Sequence, residues 1–233
     1  MTPDVNLLSR LSELDTPTVC NAIEVVQGMR GFAGFTRIAP VSSAAATKAM
    51  VGYARTARIR ARLPPDDAPP TVRRRRMAYY RYMSEGARPS IAVIEDADHP
   101  ECVGAFWGEI NAVVHDGFGL SGVLTNGLLR DLGDLPERFP IVAGSIGVSH
   151  DFVHVLDFDA PVSVFGLDVA PGDLVHADRH GAVVIPPDVI PGLASAVDRL
   201  FAMEALILEP ARRQDFDFAA FEQAWAAFEK ARV

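Results

Sequence analysis

The chain has 233 residues, of which 49% are hydrophobic, so it carries enough apolar material for one sizeable core. Its formal net charge of −8 opposes binding to nucleic acid or to an anionic membrane surface. No apolar run approaches the roughly 20 residues that span a bilayer, and the start does not have the charge order of a signal peptide. We therefore expect one domain over residues 1–233 and a cytoplasmic protein. The two cysteines, Cys20 and Cys102, suggest no disulfide framework.

The first third of the chain predicts two helices, a strand and an exposed loop. Leucines at helical spacing form the first helix, Asp15 before a Thr-Pro pair begins the second, and Gly28 ends it. Residues 47–62 predict a strand. The proline-rich segment 63–70 predicts an exposed loop, because proline lacks a backbone donor. A helix rich in Arg and Tyr is expected from there to about residue 85.

This helix carries four consecutive arginines, Arg73 to Arg76, in a chain that is acidic overall. Consecutive residues point to all sides of a helix, so the four do not form one basic face. A solvated helix start is the preferred interpretation. The alternatives are an ion-pair patch between subunits and a docking site for an acidic partner.

The middle of the chain alternates predicted strands with predicted helices. Strands are expected at 90–95, 122–125 and 140–143, and helices at 108–116 and, as a short segment, at 128–132. Such alternation is typical of parallel α/β units. From His150 to Pro186 the pattern changes to short alternating strands, and helices are expected at 187–208 and 217–230.

Most of the candidate catalytic and metal-binding residues lie between Gly108 and Asp131. Glu109 precedes the pair Arg130-Asp131 by 20 intervening residues. Alone, an acid in a first helical turn is favoured by the helix dipole, and an adjacent Arg and Asp are often an exposed ion pair. Together, the planar guanidinium of Arg130 can bind a carboxylate in two parallel hydrogen bonds, and the carboxylates of Glu109 and Asp131 offer oxygen ligands for Mg²⁺ or Mn²⁺. Ligands bind at the carboxyl ends of strands in open α/β sheets, and we expect Asn126 to join these groups there.

The histidines are interpreted as structural. His150 and His154 share one face, so a metal pair is conceivable, but no third ligand stands at a clear spacing. His176 and His180 flank Asp178 in a predicted strand and turn, and the same interpretation is preferred for them.

Two motifs surround these groups. The first is Gly108-Glu109 followed by Gly122-x3-Asn126-Gly127-x2-Arg130-Asp131, and the second is Val169-x-Pro171-Gly172-Asp173-Leu174-Val175-x2-Asp178-x2-Gly181-x-Val183-x-Ile185-Pro186. They resemble the RraA-like family, and the resemblance covers roughly Thr16 to Glu204. That family includes metal-dependent 4-hydroxy-4-methyl-2-oxoglutarate aldolases, which also decarboxylate oxaloacetate, and proteins that inhibit a ribonuclease by binding it. The resemblance implies a layered α/β/β fold of the swivelling-domain type and a homotrimer or a hexamer.

The resemblance also implies a divalent metal, Mg²⁺ or Mn²⁺, and residues that hold it. Asp131 would ligate the metal directly, and Glu109 would hold it through water, at a position where the aldolases often have Asp. Asp134 fits an extended Arg-Asp-x-x-acid form of the motif. An acid from a neighbouring subunit would complete the site, and Glu204 is the candidate.

The substrate implied by the resemblance is a small 2-oxo acid. Arg130 would bind the carboxylate of pyruvate, while Gly108 and the backbone amides of Ile110 and Asn111 would help to hold the substrate. Many relatives have Asp where Asn126 stands. The segment 55–86 is also longer and more basic than the family leads us to expect, so we expect substrate choice to differ.

The expected function is a divalent-metal-dependent lyase that cleaves a small 2-oxo acid to pyruvate. The reaction would be a retro-aldol cleavage of the 4-hydroxy-4-methyl-2-oxoglutarate type, an oxaloacetate decarboxylation, or both. The alternative is a non-catalytic regulator that binds an RNA-processing enzyme through Arg73 to Arg76. A metal-dependent hydrolase or isomerase on the same scaffold is a third possibility. Nothing in the sequence matches the glycine-rich nucleotide-binding signature of a typical methyltransferase.

Overall fold

Helices and strands alternate along the chain in the computed structural model, which describes residues 4–43 and 49–231. The helices are α1 (Val5–Ser12), α2 (Thr16–Gln27), α3 (Pro69–Ser84), α4 (Glu109–Gly117), α5 (Ile190–Ala211) and α6 (Phe218–Ala231). The strands are β1 (Val41–Ser42), β2 (Met50–Arg60), β3 (Ser90–Asp96), β4 (Ala105–Trp107), β5 (Leu120–Thr125), β6 (Leu128–Leu129), β7 (Ile141–Ala143), β8 (Ser145–Ile146), β9 (His154–Phe158), β10 (Val162–Val164), β11 (Leu167–Val169), β12 (Leu174–Asp178) and β13 (Gly181–Ile185). Residues 47 and 48 of the strand expected at 47–62 lie outside the described residues.

The predicted boundaries of α2 are confirmed by its caps. The Asp15 carboxylate accepts a hydrogen bond from the Thr18 backbone N–H at 2.9 Å, which satisfies a donor that the first turn leaves unpaired. At the other end, Gly28 adopts φ 66°, a left-handed conformation that glycine adopts without strain.

The main sheet has the order β1-β7-β5-β3-β2-β12-β13, and β9 also pairs with β2. Strands β2, β3, β5 and β7 are mutually parallel, which confirms the α/β units expected from the middle of the chain. The remaining pairs are antiparallel. The first half of β2 pairs with β12 and its second half pairs with β9, so this one strand joins the parallel and antiparallel parts of the sheet.

A second, smaller parallel sheet has the order β4-β6-β8. Its strands follow β3, β5 and β7 in the chain, so each of these segments leaves the main sheet and enters the second β layer. The helix expected at 128–132 is wrong, because Leu128–Leu129 pairs with strands on both sides instead. The two layers with their covering helices match the predicted α/β/β architecture.

Three apolar clusters fill the space between these layers. The first packs α3 and α4 on one part of the sheets and includes the fully buried Tyr79, Trp107 and Phe139. The second packs α1, α2 and α5 against β12 and β13. The third lies under the β10–β11 hairpin. Within the described residues, no helix combines the length and apolar character needed to cross a membrane.

Helix α3 begins inside the segment that was expected to be a loop. Pro69 and Pro70 occupy its first turn, where the missing N–H of proline has no intrahelical partner to lose. The loop is therefore shorter than predicted, and α3 runs along β9 on the surface of the first cluster.

Candidate active site

The small sheet brings Glu109, Arg130 and Asp131 together. Strand β4 ends at Trp107 and leads into α4, while the parallel neighbour β6 ends at Leu129 and leads into the Arg-Asp pair. The Arg130 backbone N–H donates to the Trp107 carbonyl at 2.8 Å, which holds the two strand ends side by side. The candidate site residues therefore follow the carboxyl ends of β4 and β6, which belong to the second β layer.

Asp131 acts as the N-cap acceptor of α4 from a different part of the chain. Gly108, the residue before the helix, has no side chain to offer, and the Glu109 backbone N–H donates instead to Asp131 Oδ2 at 3.1 Å. A Cβ built on Gly108 would lie only 2.4 Å from that oxygen. Glycine at this position leaves room for the carboxylate to reach the helix.

The Asp131 backbone is held in the left-handed region, with φ 58°. Non-glycine residues seldom adopt this conformation, although Asp and Asn do so more readily than others. The Asp134 backbone N–H donates to the Asp131 carbonyl at 2.9 Å and closes a tight turn. The turn aims the Asp131 carboxylate back toward Gly108 and α4.

Arg130 retains hydrogen-bonding capacity that the described part of the fold does not use. Its Nη1 lies 3.7 Å from Asp131 Oδ1, and both side chains are about one-third exposed. Its Nε is buried without a hydrogen-bond partner among the described residues. Because buried donors are nearly always paired, an unsatisfied guanidinium next to a carboxylate is typical of a site that a ligand completes.

The first turn of α4 is open at Ile110 and anchored at Asn111. The Ile110 side chain is 74% exposed. The Asn111 amide donates to the Phe106 carbonyl at 2.5 Å, and its Oδ1 accepts from the Tyr80 hydroxyl at 2.7 Å. The Asn111 side chain is thus occupied by hydrogen bonds within the protein. Only the backbone N–H groups of this turn remain to bind a ligand.

The Asn126 side chain hydrogen-bonds to Asp96 at the end of β3. It lies at the end of β5, with β6 between it and Arg130, and it is 95% buried. Its Oδ1 accepts from the Asp96 backbone N–H at 2.7 Å, and its Nδ2 lies 3.4 Å from the Asp96 carbonyl. These hydrogen bonds join the ends of β3 and β5, and proximity of Asn126 to the Arg-Asp pair stays a prediction.

The histidines have the structural surroundings that were preferred for them. His176 is fully buried, with Nδ1 3.1 Å from the Thr16 hydroxyl and Nε2 3.0 Å from the Leu11 carbonyl, and burial lowers its pKa. His154 is buried at the start of β9, whereas His150 is exposed in the loop before it, so they do not share surroundings. His180 lies 3.0 Å from the Asp178 carboxylate.

The carboxylates of the candidate site suit an ion that keeps most of its water. Asp131 Oδ2 is engaged by α4, and Oδ1 faces Arg130 at 3.7 Å. No set of three or more His, Cys, Asp or Glu side chains in the described ranges is placed to hold a metal ion. Mg²⁺ commonly takes only one or two protein carboxylates, so Asp131 with Glu109 nearby fits such an ion. Glu204 lies on α5, which packs on α2 and α6.

One buried network next to the site was not anticipated from the sequence. The Tyr79 hydroxyl lies 2.8 Å from His115 Nε2, and His115 Nδ1 lies 2.6 Å from the Asn111 carbonyl. Nδ1 must therefore donate to the carbonyl, while Nε2 accepts from the tyrosine. Burial lowers the pKa of His115 to about 4, so the ring is neutral. The i,i+4 spacing of Asn111 and His115 was the available signal, but nothing in the sequence pairs them with α3.

Comparison with known proteins gives a consistent family. The sequence model of the RraA-like family, described as Aldolase/RraA, matches residues 16–184. A putative 4-hydroxy-4-methyl-2-oxoglutarate aldolase of Halalkalibacterium halodurans is 25% identical over 140 residues, which are 59% of this chain and 60% of that protein. The chain spans 26% and 60% of the length of two curated relatives that it matches.

Solved structures show the same fold. An uncharacterized protein from Pseudomonas syringae pv. tomato superposes with a TM-score of 0.71 at 21% identity, covering 97% of this chain and 95% of that one. Streptomyces coelicolor RraAS2, described as an unusual member of the RNase ES inhibitor RraA family, gives 0.65 at 23% identity, with coverage of 91% and 99%. The chain therefore belongs to the RraA-like family, which includes aldolases and decarboxylases as well as ribonuclease regulators.

Proposed function

We propose that this protein is a divalent-metal-dependent lyase that releases pyruvate from a small 2-oxo acid. The substrates would be of the 4-hydroxy-4-methyl-2-oxoglutarate type, oxaloacetate, or both, since cleavage of either leaves pyruvate in its enolate form. The observation that carries the proposal is the capping bond from the Glu109 N–H to Asp131, which assembles acid, guanidinium and acid around Gly108.

Arg130 would recognise the carboxylate of the substrate. Its guanidinium is one-third exposed and offers a planar set of donors that matches a carboxylate in two parallel hydrogen bonds. The backbone N–H of Ile110, a residue that is 74% exposed, would hold the other side of the same group, because the N–H groups of a first helical turn attract anions. Both contacts fix the substrate in one orientation relative to Asp131.

Asp131 and Glu109 would supply the acids of the site. Asp131 would hold the divalent cation through its carboxylate, with Glu109 acting through water. When bound, the cation supplies Lewis-acid stabilisation of the negative charge that develops on the keto oxygen as the C3–C4 bond breaks. Glu109, exposed at the start of α4, would orient the water that takes the proton of the C4 hydroxyl. A homotrimer or hexamer, with Glu204 supplied by a neighbouring subunit, remains the expected assembly.

The test is pyruvate release from both substrates, measured with EDTA and again after Mg²⁺ or Mn²⁺ is restored. Turnover should vanish with the chelator and return with metal. Asp131→Ala should remove nearly all turnover, and Asp131→Asn should do the same while keeping an acceptor for the Glu109 N–H. Arg130→Ala should lower the rate by about 10²–10³, the scale of losing a preorganised charge-stabilising group. Full activity in either Asp131 variant would overturn the proposal.

A regulator that binds an RNA-processing enzyme is the second candidate. The exposed arginines of α3, Arg73 and Arg74, favour it because they would attract an acidic partner surface. A pull-down that depends on these arginines and is indifferent to Arg130→Ala, from a protein that turns over neither substrate, would support this candidate over the lyase.

A further inference from the structure

Two backbone donors of the candidate site lie in the turn between β4 and α4. The Ala112 N–H is the first that bonds back along α4, to the carbonyl of the residue before the helix at 3.0 Å. The Glu109 N–H is capped by Asp131, so the N–H groups of Ile110 and Asn111 are left without an acceptor within the helix. A backbone donor cannot turn independently of the chain, so its direction depends on how firmly this turn is held.

The Asn111 side chain fastens this turn to the strand before it. Its Nδ2 donates to the carbonyl of Phe106, in β4, at 2.5 Å, which ties the first turn of α4 back to the strand across Gly108. The Tyr80 hydroxyl donates to Asn111 Oδ1 at 2.7 Å. That bond fixes which end of the amide faces Phe106, because the oxygen is occupied from the side of α3. Linked hydrogen bonds also strengthen one another, so the hydroxyl supports the bond to the strand.

A second connection from α3 reaches the main chain of the same residue. The Tyr79 hydroxyl donates to His115 Nε2 at 2.8 Å, and His115 Nδ1 donates to the Asn111 carbonyl at 2.6 Å. Tyr79 and Tyr80 are adjacent in α3, with ring centroids 5.3 Å apart. One tyrosine therefore holds the side chain of Asn111, and the other holds its backbone through the imidazole. Asn111 is thus held from α3 by two separate routes.

The Tyr80 hydroxyl is itself held in place by packing. The Tyr80 ring lies 5.7 Å from His115 and 6.4 Å from Phe118, at the end of α4, with the second contact edge-on. Beyond the end of α3, Arg88 donates to the Met83 carbonyl at 3.1 Å and to the Phe118 carbonyl at 2.9 Å, which ties the two helices together. A side chain that packing locks in this way can hold a binding group within the narrow tolerance that a site requires.

We propose that Tyr80 is a positioning residue of the candidate site, which acts through Asn111 to aim the N–H groups of Ile110 and Asn111 at the carboxylate of the substrate. This assignment rests on the proposed lyase function for the identity of that ligand. Tyr80 needs no contact with the substrate for this role. The same N–H groups hold the carboxylate before and during bond cleavage, so the loss of positioning should raise KM and leave kcat nearly unchanged.

The experiment uses Tyr80→Phe, which removes the hydroxyl and keeps the ring. KM for oxaloacetate decarboxylation should rise roughly three- to tenfold, the range that the loss of one neutral hydrogen bond spans, with little change in kcat. The affinity for oxalate, a planar dianion that resembles the enolate of pyruvate, should fall by a similar factor in titration calorimetry with Mg²⁺ present. In the ligand-free protein, amide hydrogen exchange at Ile110 and Asn111 should become faster, because the turn opens more often.

Tyr82→Phe is the matched control. Tyr82 lies on the same helix, but its hydroxyl accepts from the Thr56 backbone N–H at 3.2 Å, on the side of β2 instead of α4. This variant loses a comparable hydrogen bond and should keep the wild-type KM and oxalate affinity. An equal rise of KM in Tyr82→Phe would reduce the effect of Tyr80 to general stability and overturn the proposal.

A double-mutant cycle with Asn111→Ala tests the route. If Tyr80 acts through Asn111, adding Tyr80→Phe to Asn111→Ala should raise KM no further, whereas additive effects would overturn the proposal. Unchanged amide exchange at Ile110 and Asn111 in Tyr80→Phe would overturn it as well. Exchange is measured without a ligand, so a failure of pyruvate release would count against the lyase function and leave this readout to decide the role of Tyr80.

Discussion

Replacing Gly108 with alanine should disable the candidate site without unfolding the protein. A Cβ at this position would lie 2.4 Å from Asp131 Oδ2 and 3.2 Å from Arg130 Nε, whereas ordinary contacts begin at 3.4 Å. The Asp131 carboxylate must therefore retreat by about 1 Å and release the Glu109 N–H. Misplacing a reacting group by that distance costs on the order of 10²-fold in rate.

The cost to stability should be small, which separates this variant from a folding defect. Gly108 has φ −151°, an extended conformation that alanine adopts without strain. The variant loses one exposed hydrogen bond, about 0.5–1.5 kcal/mol, and alanine recovers part of it by restricting the unfolded chain. We expect the free energy of unfolding in urea to change by no more than about 1 kcal/mol.

The assay is kcat for pyruvate release, with Gly133→Ala as the control. Gly133 lies in the turn that follows Asp131, and a Cβ there would meet nothing within 4 Å. The control should retain wild-type kcat. Wild-type kcat in Gly108→Ala, or an equal loss in both variants, would refute the argument that the space at Gly108 is reserved for the Asp131 carboxylate.

Two further predictions concern buried titratable groups. His115 has a pKa of about 4 in the folded protein against an ordinary value of 6.5, so the unfolded chain takes up a proton first as the pH falls. Stability should therefore decrease between about pH 6.5 and 4, by roughly 3 kcal/mol at most, and urea unfolding of His115→Phe should lack this part of the pH slope. Asp96 is 99% buried, and burial raises its pKa. Protonated Asp96 therefore stabilises the folded protein at pH values below the pKa that this group has in the unfolded chain. That stabilisation is lost as the pH rises through the higher pKa that the group has in the folded protein. Asp96→Asn should be at least as stable as the wild-type protein at pH 7, and a melting temperature well below that of the wild type would contradict this.

Most helices and the parallel strands could be predicted from the sequence, because short local patterns indicate them. Asp15 and Gly28 mark the ends of α2 by capping chemistry, and the apolar run at β3 indicates a buried strand without further context. The spacing of Glu109 from Arg130-Asp131 also led to the right neighbours, since both segments follow strands of one sheet.

The second β layer was expected only from the family resemblance, and local sequence patterns supply neither its strands nor the contacts across it. Strands β6 and β8 have two residues each, too short for any periodicity, and Leu128–Leu129 forms a strand only because β4 and β8 lie on either side. The bond from Tyr80 to Asn111 joins residues 31 positions apart, which no local pattern encodes.

The left-handed backbone at Asp131 limits which residues the position can accept while the turn is kept. Asn and Gly suit this conformation, and both are one nucleotide change away from an Asp codon. Exchange to Asn would abolish the acidic group and still offer an acceptor to the Glu109 N–H, whereas exchange to Gly would also remove that cap. A single nucleotide change to Asn would then remove the acidic group while the turn and the start of α4 keep their geometry.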